Sequence, residues 1–456
     1  MIHKYKMFDM DIVLDIYSGA VHVVDDCVYD MLDYLLEPFT PESECPAFIS
    51  DELSRKYSPE DIAESYAEIC ELYKNGQLFS EDTYEDFAKN WNKQSVVKAL
   101  CLHIAHDCNL RCKYCFAGTG EYHGARGMMS AETGKKAIDF VIKNSGTRKN
   151  IEIDYFGGEP LMNFNVVKEI TEYAKEQAAK HGKNFRFTVT TNGILLDEDK
   201  KKYINENMSN VVLSIDGRKE VNDRMRPRVD GSGTYDAILP KFIDMAESRS
   251  QDNYYVRGTF TAFNKDFAND VIHLADLGFK QTSVEPVVAP EDEEYALTEK
   301  DLPEIFDQYE KLAAEYLKRW KEGNWFNFFH FMIDLDQGPC AIKRLSGCGA
   351  GHEYLAVAAD GDLYPCHQFV GNKDFLMGNV YEGKLDEKIR KYFEDSNIYT
   401  KDKCRNCFAK FYCSGGCSAN AFNFNGDINK PYELACEMEK KRVECAIAVE
   451  AAKKLG

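Results

Sequence analysis

The sixteen cysteines of this 456-residue chain are distributed very unevenly. Cys108, Cys112 and Cys115 lie within eight residues, positions 116–339 contain no cysteine, and nine more follow in the last part of the chain. In a reducing compartment, thiols in such number more often bind metals or act in catalysis than form disulfides. The distribution therefore predicts two metal-binding or catalytic regions, separated by a long segment that folds without them.

That long segment shows alternating strand and helix patterns. Six predicted strands, each followed by a helical stretch, lie near 98–106, 151–157, 185–191, 211–216, 255–262 and 281–288. Such alternation indicates an α/β fold with a parallel sheet and crossover helices. Six units are too few for a closed eight-fold barrel, which leaves an open partial (β/α)6 barrel or a doubly wound sheet. Both place functional groups at the carboxyl ends of the strands.

The length and the changes of pattern predict three domains. Residues 1–90 form a small separate unit, residues 91–325 contain the alternating segment, and residues 326–456 break into short stretches rich in Gly, Cys, Asn and Asp. The last composition suits a loop-rich domain that is held by metal rather than by a large core.

The amino-terminal unit has its own local signals. Alternating apolar and polar residues on either side of the Ser-Gly pair at 18–19 predict a β-hairpin. Helices are expected near Cys27 and after Ser58, where a proline and an acid occupy capping positions. A short strand is expected around Leu78, and the acidic segment 81–92 is interpreted as a linker.

Charge limits the partners. The chain has 56 basic and 76 acidic residues, a formal net charge of −20. Such a surface repels phosphate backbones and anionic lipids unless it carries a basic stripe, and the sequence contains none. No run of about eighteen apolar residues occurs, and no apolar run follows the first lysines. We therefore expect a cytoplasmic protein without nucleic-acid or membrane partners.

The cysteine triplet follows an apolar strand, ALCLHIA, and so lies at the carboxyl end of that strand. Three thiolates this close can converge on one metal centre but leave one corner without a protein ligand. An open coordination position implies chemistry. The alternatives are a structural zinc that borrows a distant fourth ligand, or buried thiols.

The triplet, with an aromatic Tyr114 before its last cysteine, resembles the signature of radical S-adenosylmethionine (SAM) enzymes. Matching motifs end the second, third and fourth predicted strands: GGEP at 157–160, TTNG at 190–193 and SIDG at 214–217. In that family the methionine amino and carboxylate groups of SAM chelate the open iron of a [4Fe–4S] cluster. An electron from the cluster then cleaves the sulfonium to a 5′-deoxyadenosyl radical. The resemblance implies an open partial (β/α)6 barrel with these cluster ligands and catalytic residues: Cys108, Cys112 and Cys115.

Residues at the strand ends are predicted to contact SAM. Gly157 and Gly158 allow a close backbone approach to a ligand, and the Glu159 carboxylate can pair with an ammonium group. A turn is the alternative reading of this motif. The polar groups able to contact the ribose or the carboxylate are Asn192, Ser214 and Asp216. Turn chemistry at strand ends explains the same residue types.

Two arginines and one tyrosine complete the predicted SAM site. Arg224 and its neighbour Arg226 are candidates for binding a carboxylate, with a solvated charge run as the alternative. The resemblance alone places the backbone of Tyr114 against the adenine.

The carboxyl-terminal cysteine spacing resembles the seven-cysteine SPASM extension of peptide-modifying radical SAM enzymes, which holds two auxiliary [4Fe–4S] clusters. By resemblance, the first auxiliary cluster is bound by Cys404, Cys407, Cys413 and Cys436. The second is bound by Cys348, Cys366 and Cys417. One corner of the second cluster is then vacant. Cys340 is close enough to fill it, but we favour an open corner that accepts a substrate thiolate. A zinc ribbon is the alternative for the whole region.

The remaining cysteines have no partner at ligand spacing and are expected to be buried apolar thiols; they are Cys27, Cys45, Cys70, Cys101 and Cys445. His367 directly follows a predicted ligand. It faces the substrate or caps a turn, and the sequence does not separate these two roles.

The amino-terminal hairpin, helices and expected wing strand resemble the winged-helix peptide-recognition element of enzymes that modify ribosomally made peptides. Such an element binds a leader segment as an added strand at a sheet edge. The whole layout resembles sactipeptide synthases, most closely the maturases of cysteine-rich SCIFF peptides. The resemblance implies three [4Fe–4S] clusters, SAM, a cysteine-rich precursor peptide with its leader on residues 1–90, and a reductant such as flavodoxin or ferredoxin. The implied product is a thioether from a cysteine sulfur to the α-carbon of an acceptor residue.

Two other functions stay open. An anaerobic sulfatase-maturing enzyme shares both cluster domains but makes formylglycine; such enzymes have an acid where His367 stands here, and they lack the amino-terminal unit. The second is a non-enzymatic iron-sulfur electron carrier or scaffold, which needs neither an open iron nor six strand-helix units.

Overall fold

The structure is a computed structural model, and it describes residues 1–35, 37–90, 96–122, 124–336 and 344–456. Cys340, considered above as a ligand, lies outside the described residues, as do positions 91 and 92 of the expected linker.

The chain begins with a three-stranded antiparallel sheet formed by β1 (Ile2–Met7), β2 (Met10–Asp15) and β3 (Val21–Val24). The predicted hairpin is confirmed as β2 and β3. Strand β1 was not predicted, because its tight turn to β2 uses Phe8 and Asp9, both at positive φ. Turns of this type usually contain Asn or Gly, so the sequence carries no turn signal there.

Four helices follow: α1 (Asp26–Met31), α2 (Ala47–Leu53), α3 (Pro59–Lys74) and α4 (Tyr84–Asn90). The expected cap of α3 is confirmed: the Ser58 hydroxyl accepts from the Asp61 amide, and the Asp61 carboxylate accepts from the Ser58 amide.

Two expectations for the amino-terminal unit are wrong. The segment around Leu78 is not a strand: Leu78 is buried, Phe79 has a φ of 52°, and the Ser80 amide donates to Asp15 at 3.0 Å. Tertiary contacts therefore fold this segment back onto the sheet. The expected linker contains α4 within its described part. The winged-helix assignment stays a prediction.

All six predicted strands of the central region are present, as β4 (Ala99–His106), β6 (Asn150–Gly157), β7 (Asn184–Thr191), β8 (Asn210–Ser214), β9 (Tyr254–Phe260) and β10 (Gln281–Pro286). They are parallel and adjacent in chain order. A doubly wound sheet reverses its order at a switch point, and this one does not. A two-residue strand, β5 (Gly127–Met128), pairs with β4.

Crossover helices follow the strands: α5 (Ala131–Asn144), α6 (Phe164–His181), α7 (Glu198–Asn207), α8 (Lys219–Met225), α9 (Tyr235–Ser248), α10 (Ala268–Asp276) and α11 (Leu302–Lys321). Strand β6 shows why these helices pack against one face of the sheet. Ile151, Ile153 and Tyr155 are fully buried on that face, whereas Glu152 and Asp154 alternate onto the other. The inner face of β6, away from the helices, therefore carries two carboxyl groups.

The carboxyl-terminal region extends this sheet with β11 (Asn327–Phe328), β12 (Tyr354–Val357), β13 (Asp362–Tyr364) and β14 (Gly378–Asn379). Strand β12 pairs in parallel with β4, so one sheet crosses the predicted 325/326 boundary. The helices beyond are α12 (Glu387–Asp395), α13 (Asp402–Arg405), α14 (Lys410–Cys413), α15 (Ser418–Asn425) and α16 (Glu433–Leu455). No helix in the described ranges is both long and apolar enough to cross a membrane.

Candidate active site

The cysteine triplet lies on the loop after β4, at the carboxyl edge of the parallel sheet. Neighbouring strands β6, β7 and β8 end at the same edge, at Gly157, Thr191 and Ser214. The Asn192 side chain joins this edge to the triplet, because its Nδ2 donates to Asn109 Oδ1 at 2.8 Å and lies 3.7 Å from Cys108 Sγ. Parallel topology thus brings the separate sequence motifs together.

The two glycines of the GGEP motif are required by the chain itself. Gly157 has a φ of 121°, and a Cβ atom there would meet the Ala105 carbonyl; a Cβ at Gly158 would meet the Asp107 carbonyl. The Gly158 amide donates to Ala105 O at 2.7 Å. The glycines therefore allow a close approach to the backbone that leads into Cys108, and their close approach to a ligand stays a prediction.

Glu159 connects the second and third motifs. Its buried carboxylate accepts hydrogen bonds from the Leu161 amide (3.0 Å), the Thr191 hydroxyl (2.8 Å) and the Asn192 amide (2.8 Å). Burial raises the pKa of Glu159, and these donors oppose the rise. The carboxylate holds the strand ends in place, and its pairing with a ligand ammonium stays a prediction.

A buried polar triad lies beside the triplet. The Tyr114 hydroxyl donates to the Asp216 carboxylate at 2.8 Å and accepts from Arg226 Nη1 at 2.8 Å. Burial raises the pKa of Asp216 to about 6, against the Arg226 charge and the Tyr114 hydrogen bond. Asp216 also accepts from the Thr259 amide at 3.1 Å, so the Tyr114 side chain is fixed between β8 and β9.

The two candidate arginines have different surroundings. Arg226 is 8% exposed and belongs to the triad, whereas the Arg224 guanidinium stacks on the Phe263 ring at 3.5 Å. The charge of Arg226 lowers the pKa of Cys112, although burial dominates and raises it to about 11. The predicted cofactor contacts of Arg224, Ser214 and Tyr114 stay predictions.

The thiols of the triplet fit an iron-sulfur cluster, and the nitrogen donors beside them fit a carboxylate or the cluster sulfurs. Burial raises the pKa of Cys108 to about 12, so its thiol needs a bound metal to act as a thiolate. None of the described cysteines forms a disulfide. Asn109 Nδ2 and Arg226 Nε are buried donors for which the described residues supply no acceptor. Such donors suit the sulfurs of an anionic cluster or a carboxylate. Asn109 was missed by sequence reasoning, and its position inside the triplet was the available signal.

The four cysteines assigned to the first auxiliary cluster line one cavity of about 390 Å³; they are Cys404, Cys407, Cys413 and Cys436. Burial raises the pKa of each of these thiols, and the other members raise it further for Cys413 and Cys436. Their chemistry and their grouping fit a [4Fe–4S] cluster.

Cys348, Cys366 and Cys417 form a second group. Burial raises the pKa of Cys366, and the charges of the other two raise it further. Cys348 and Cys417 are exposed, and Cys417 lines a cavity of about 350 Å³ together with Glu285 and His330. No three Cys, His, Asp or Glu side chains in the described part of the chain converge on a single metal ion. A [4Fe–4S] cluster binds each cysteine through a different iron and does not need such convergence.

A buried cation lies between the two auxiliary groups. Lys401 is 3% exposed and donates to Gly415 O at 2.8 Å. Burial lowers its pKa, and thiolates of both groups oppose the shift, with Cys404 and Cys413 from the first. A buried ammonium among thiols is the counter-charge that thiolate-bound clusters require.

His367 lies in an aromatic enclosure, 5.3 Å from the Phe156 ring and with Nδ1 3.3 Å from the Tyr354 hydroxyl. Burial lowers its pKa to about 4. Of the five remaining cysteines, the expected burial is confirmed for Cys27, Cys70, Cys101 and Cys445. Cys45 is half-buried.

Comparison with known proteins identifies two regions of the chain. Residues 102–257 match the radical SAM superfamily, and residues 348–408 match the SPASM iron-sulfur cluster-binding domain. The chain is 25% identical to a cysteine-type anaerobic sulfatase-maturating enzyme of Clostridium novyi (strain NT), over 76% of this chain and 95% of that protein. It is 24% identical to the radical SAM cyclopropyl synthase TigE of Paramaledivibacter caminithermalis, over 92% of this chain and 89% of that protein.

Among solved structures, native anSMEcpe with bound AdoMet and Cp18Cys peptide shares the fold. The TM-score is 0.64 at 20% identity, over 79% of this chain and 99% of that chain. The two family matches show that radical SAM and SPASM domains are present, which makes the protein a radical SAM enzyme. These domains imply [4Fe–4S] clusters and SAM.

Proposed function

We propose that this enzyme forms thioether cross-links, from cysteine sulfur to α-carbon, in a ribosomally made, cysteine-rich peptide. Cys108, Cys112 and Cys115 would hold a cluster that would supply the electron for SAM cleavage. The two auxiliary cysteine groups would hold clusters for electron transfer, the second with a position for a substrate thiolate. Arg226, Asp216 and Tyr114 form a rigid polar wall beside that triplet, and the orphan donors of Asn109 and Arg226 hold a carboxylate or the cluster sulfurs.

The observation that carries this proposal is the second auxiliary group. It has three thiols in the described part of the chain, and one of them, Cys417, opens onto the cavity of about 350 Å³, which Cys413 and Cys436 of the first group also line. That cavity also reaches Glu285, at the end of β10, and therefore connects the carboxyl edge of the sheet with the auxiliary cysteines. A peptide cysteine bound in this space would lie beside Cys417. Cys340, outside the described residues, is the competing ligand.

The amino-terminal unit is the second support. The alignment with TigE covers 92% of this chain and therefore includes part of residues 1–90, whereas that with the sulfatase-maturating enzyme of C. novyi covers 76%. A separate sheet with helices ahead of the radical SAM region suits a precursor peptide that is held by its leader, with β3 as an edge strand.

Formylglycine formation is the second candidate, favoured by the relatives whose names state sulfatase maturation. The acid that such enzymes typically have directly after the cysteine at the Cys366 position is absent here, because His367 stands there. With a pKa of about 4, His367 is neutral at pH 7 and a weak proton acceptor.

The test is anaerobic incubation of the reconstituted enzyme with SAM, a reductant (dithionite or reduced flavodoxin) and a cysteine-rich peptide encoded beside its gene. We expect the peptide to lose a pair of hydrogens for each free thiol that disappears, with the new bond mapped to an α-carbon by fragmentation. Cys108→Ala is the matched control and should leave the peptide unchanged. An aldehyde in place of a lost thiol would instead establish the formylglycine route.

A further inference from the structure

Lys410 is a fully buried cation inside the ligand segment of the first auxiliary group. It lies on α14 between Cys407 and Cys413, is 1% exposed, and lines the same cavity as the four thiols. Burial raises the pKa of Cys407, and the charges of Lys440 and Lys410 oppose the rise, so the ammonium acts on a ligand position. A buried ammonium is stable only when other groups compensate its charge.

The compensating groups come from the amino-terminal part of the chain. The Asp82 carboxylate accepts from Lys410 Nζ at 3.3 Å and from the Tyr399 hydroxyl at 2.8 Å. Lys410 Nζ also donates to the Arg405 carbonyl at 3.0 Å and lies 4.5 Å from the centre of the Tyr17 ring. Tyr17 and Asp82 are far from Lys410 in sequence, so this charge balance depends on the docked amino-terminal unit.

The amino-terminal unit makes two further contacts with the segment that carries Lys410. Glu85 on α4 pairs with Arg405 at 2.5 Å, and His3 on β1 stacks on Phe408 with ring centres 3.5 Å apart. The segment 402–413, which carries three of the four thiols, is therefore packed against residues 1–90. The positive charge of Lys401 is balanced by the cysteine thiolates around it. Lys410 instead has a carboxylate partner, Asp82, from outside the auxiliary region.

Charge close to an iron-sulfur cluster changes its reduction potential, because reduction adds a negative charge in a region of low dielectric. A nearby cation favours the reduced state, and a nearby anion opposes it. We propose that the Asp82–Lys410 ion pair sets the reduction potential of the first auxiliary cluster, so that the docked amino-terminal unit is part of the electronic environment of this cluster. Both residues act as positioning residues. The inference goes beyond the proposed function and holds for either peptide product.

The experiment is an EPR-monitored redox titration of the full-length, reconstituted enzyme without peptide. Asp82→Asn removes the anion and should shift one auxiliary signal to higher potential. Lys410→Met removes the cation and should shift the same signal to lower potential, while the double variant returns towards wild type. The remaining signals are assigned with Cys108→Ala, Cys112→Ala and Cys115→Ala combined, which removes only the SAM-site cluster.

Matched variants separate charge from packing. Asp86→Asn removes a carboxylate that is 87% exposed on the same helix, α4, and should leave every potential unchanged. Lys410→Arg should keep the wild-type value. Lys401→Met should lower the reduction potentials of both auxiliary signals. This variant is the positive control, because it shows that the titration detects the loss of a buried charge. If Lys410→Met loses iron, the reduction potentials of Asp82→Asn and Lys410→Arg test the proposal instead. Unchanged potentials in Asp82→Asn with full iron content, or the same direction of shift for both single variants, would overturn the proposal.

Discussion

At the residue scale, Asp154 carries a half-buried charge that the fold must tolerate. It lies on the polar inner face of β6, and burial raises its pKa to about 6, with Glu152 adding to the rise and a hydrogen bond from Thr188 opposing it. A carboxyl whose folded pKa lies above its unfolded value binds more protons in the folded state between about pH 4 and 6. The folded state therefore loses stability as the pH rises through this window.

Asp154→Asn should remove that loss. The variant is expected to be more stable than wild type by on the order of 1 to 2 kcal/mol above pH 6, after allowance for partial solvent screening. The difference should shrink towards its low-pH value below about pH 4, because the wild-type carboxyl is then protonated in both states. Thermal unfolding midpoints at matched scan rates over pH 4 to 8 measure the gap. A gap independent of pH would contradict this explanation.

At the scale of elements, the loop after β4 is held by the end of β6. The Gly158 amide bonds to Ala105 O, and the Glu159 amide donates to Asp107 O at 3.0 Å, so the backbone before the triplet is positioned by the GGEP motif. The geometry of the cysteine ligands therefore depends on two strands rather than on the loop alone.

Gly158→Ala should disturb this junction. The added methyl group meets the Asp107 carbonyl, and the resulting shift is expected to cost about 1 to 3 kcal/mol and to lower SAM binding with the auxiliary clusters intact. Gly127→Ala is the control, because nothing lies within 4 Å of a Cβ atom there. Isothermal titration with SAM and iron analysis of both variants test the prediction. Equal SAM affinity in both would show that the glycine is dispensable.

The elements that the sequence predicted well are those with strong local patterns. The central strands have apolar faces of period two, and α3 has a complete capping box, so their bounds are close to those expected. The failures depend on tertiary contacts. Strand β1 needs a turn at Phe8 and Asp9, and the segment at Leu78 is bent by its contact with Asp15.

The same distinction applies to the candidate site. Parallel topology was enough to predict that residues of three strand ends meet near Cys108, because carboxyl ends share one edge. Arg224 and Arg226 could not be separated in this way: they lie two residues apart at the end of α8 and enter different surroundings. The ion pair between Lys410 and Asp82 could not be predicted either, because no local sequence pattern relates these two distant positions.

At the scale of the whole molecule, the three cysteine groups are expected to bind clusters independently. A fully loaded chain should contain about twelve iron atoms, and the combined Cys108→Ala, Cys112→Ala and Cys115→Ala variant about eight. That variant should lose SAM cleavage while it keeps the auxiliary EPR signals, because no cysteine of the triplet lines either cavity that the auxiliary thiols line. Iron analysis and 5′-deoxyadenosine formation measure the two effects. Retained cleavage would refute the assignment of the triplet.

The parallel pairing of β12 with β4 has a mechanical consequence. Residues 354–357 are hydrogen-bonded alongside 99–102, on the strand that leads to the triplet, and β12 itself lies between Cys348 and Cys366. A movement that separated the two cysteine regions would break the hydrogen bonds between β12 and β4. The sheet therefore fixes the distance between these regions. A substrate must then enter a site in which the two cysteine regions already have their final separation.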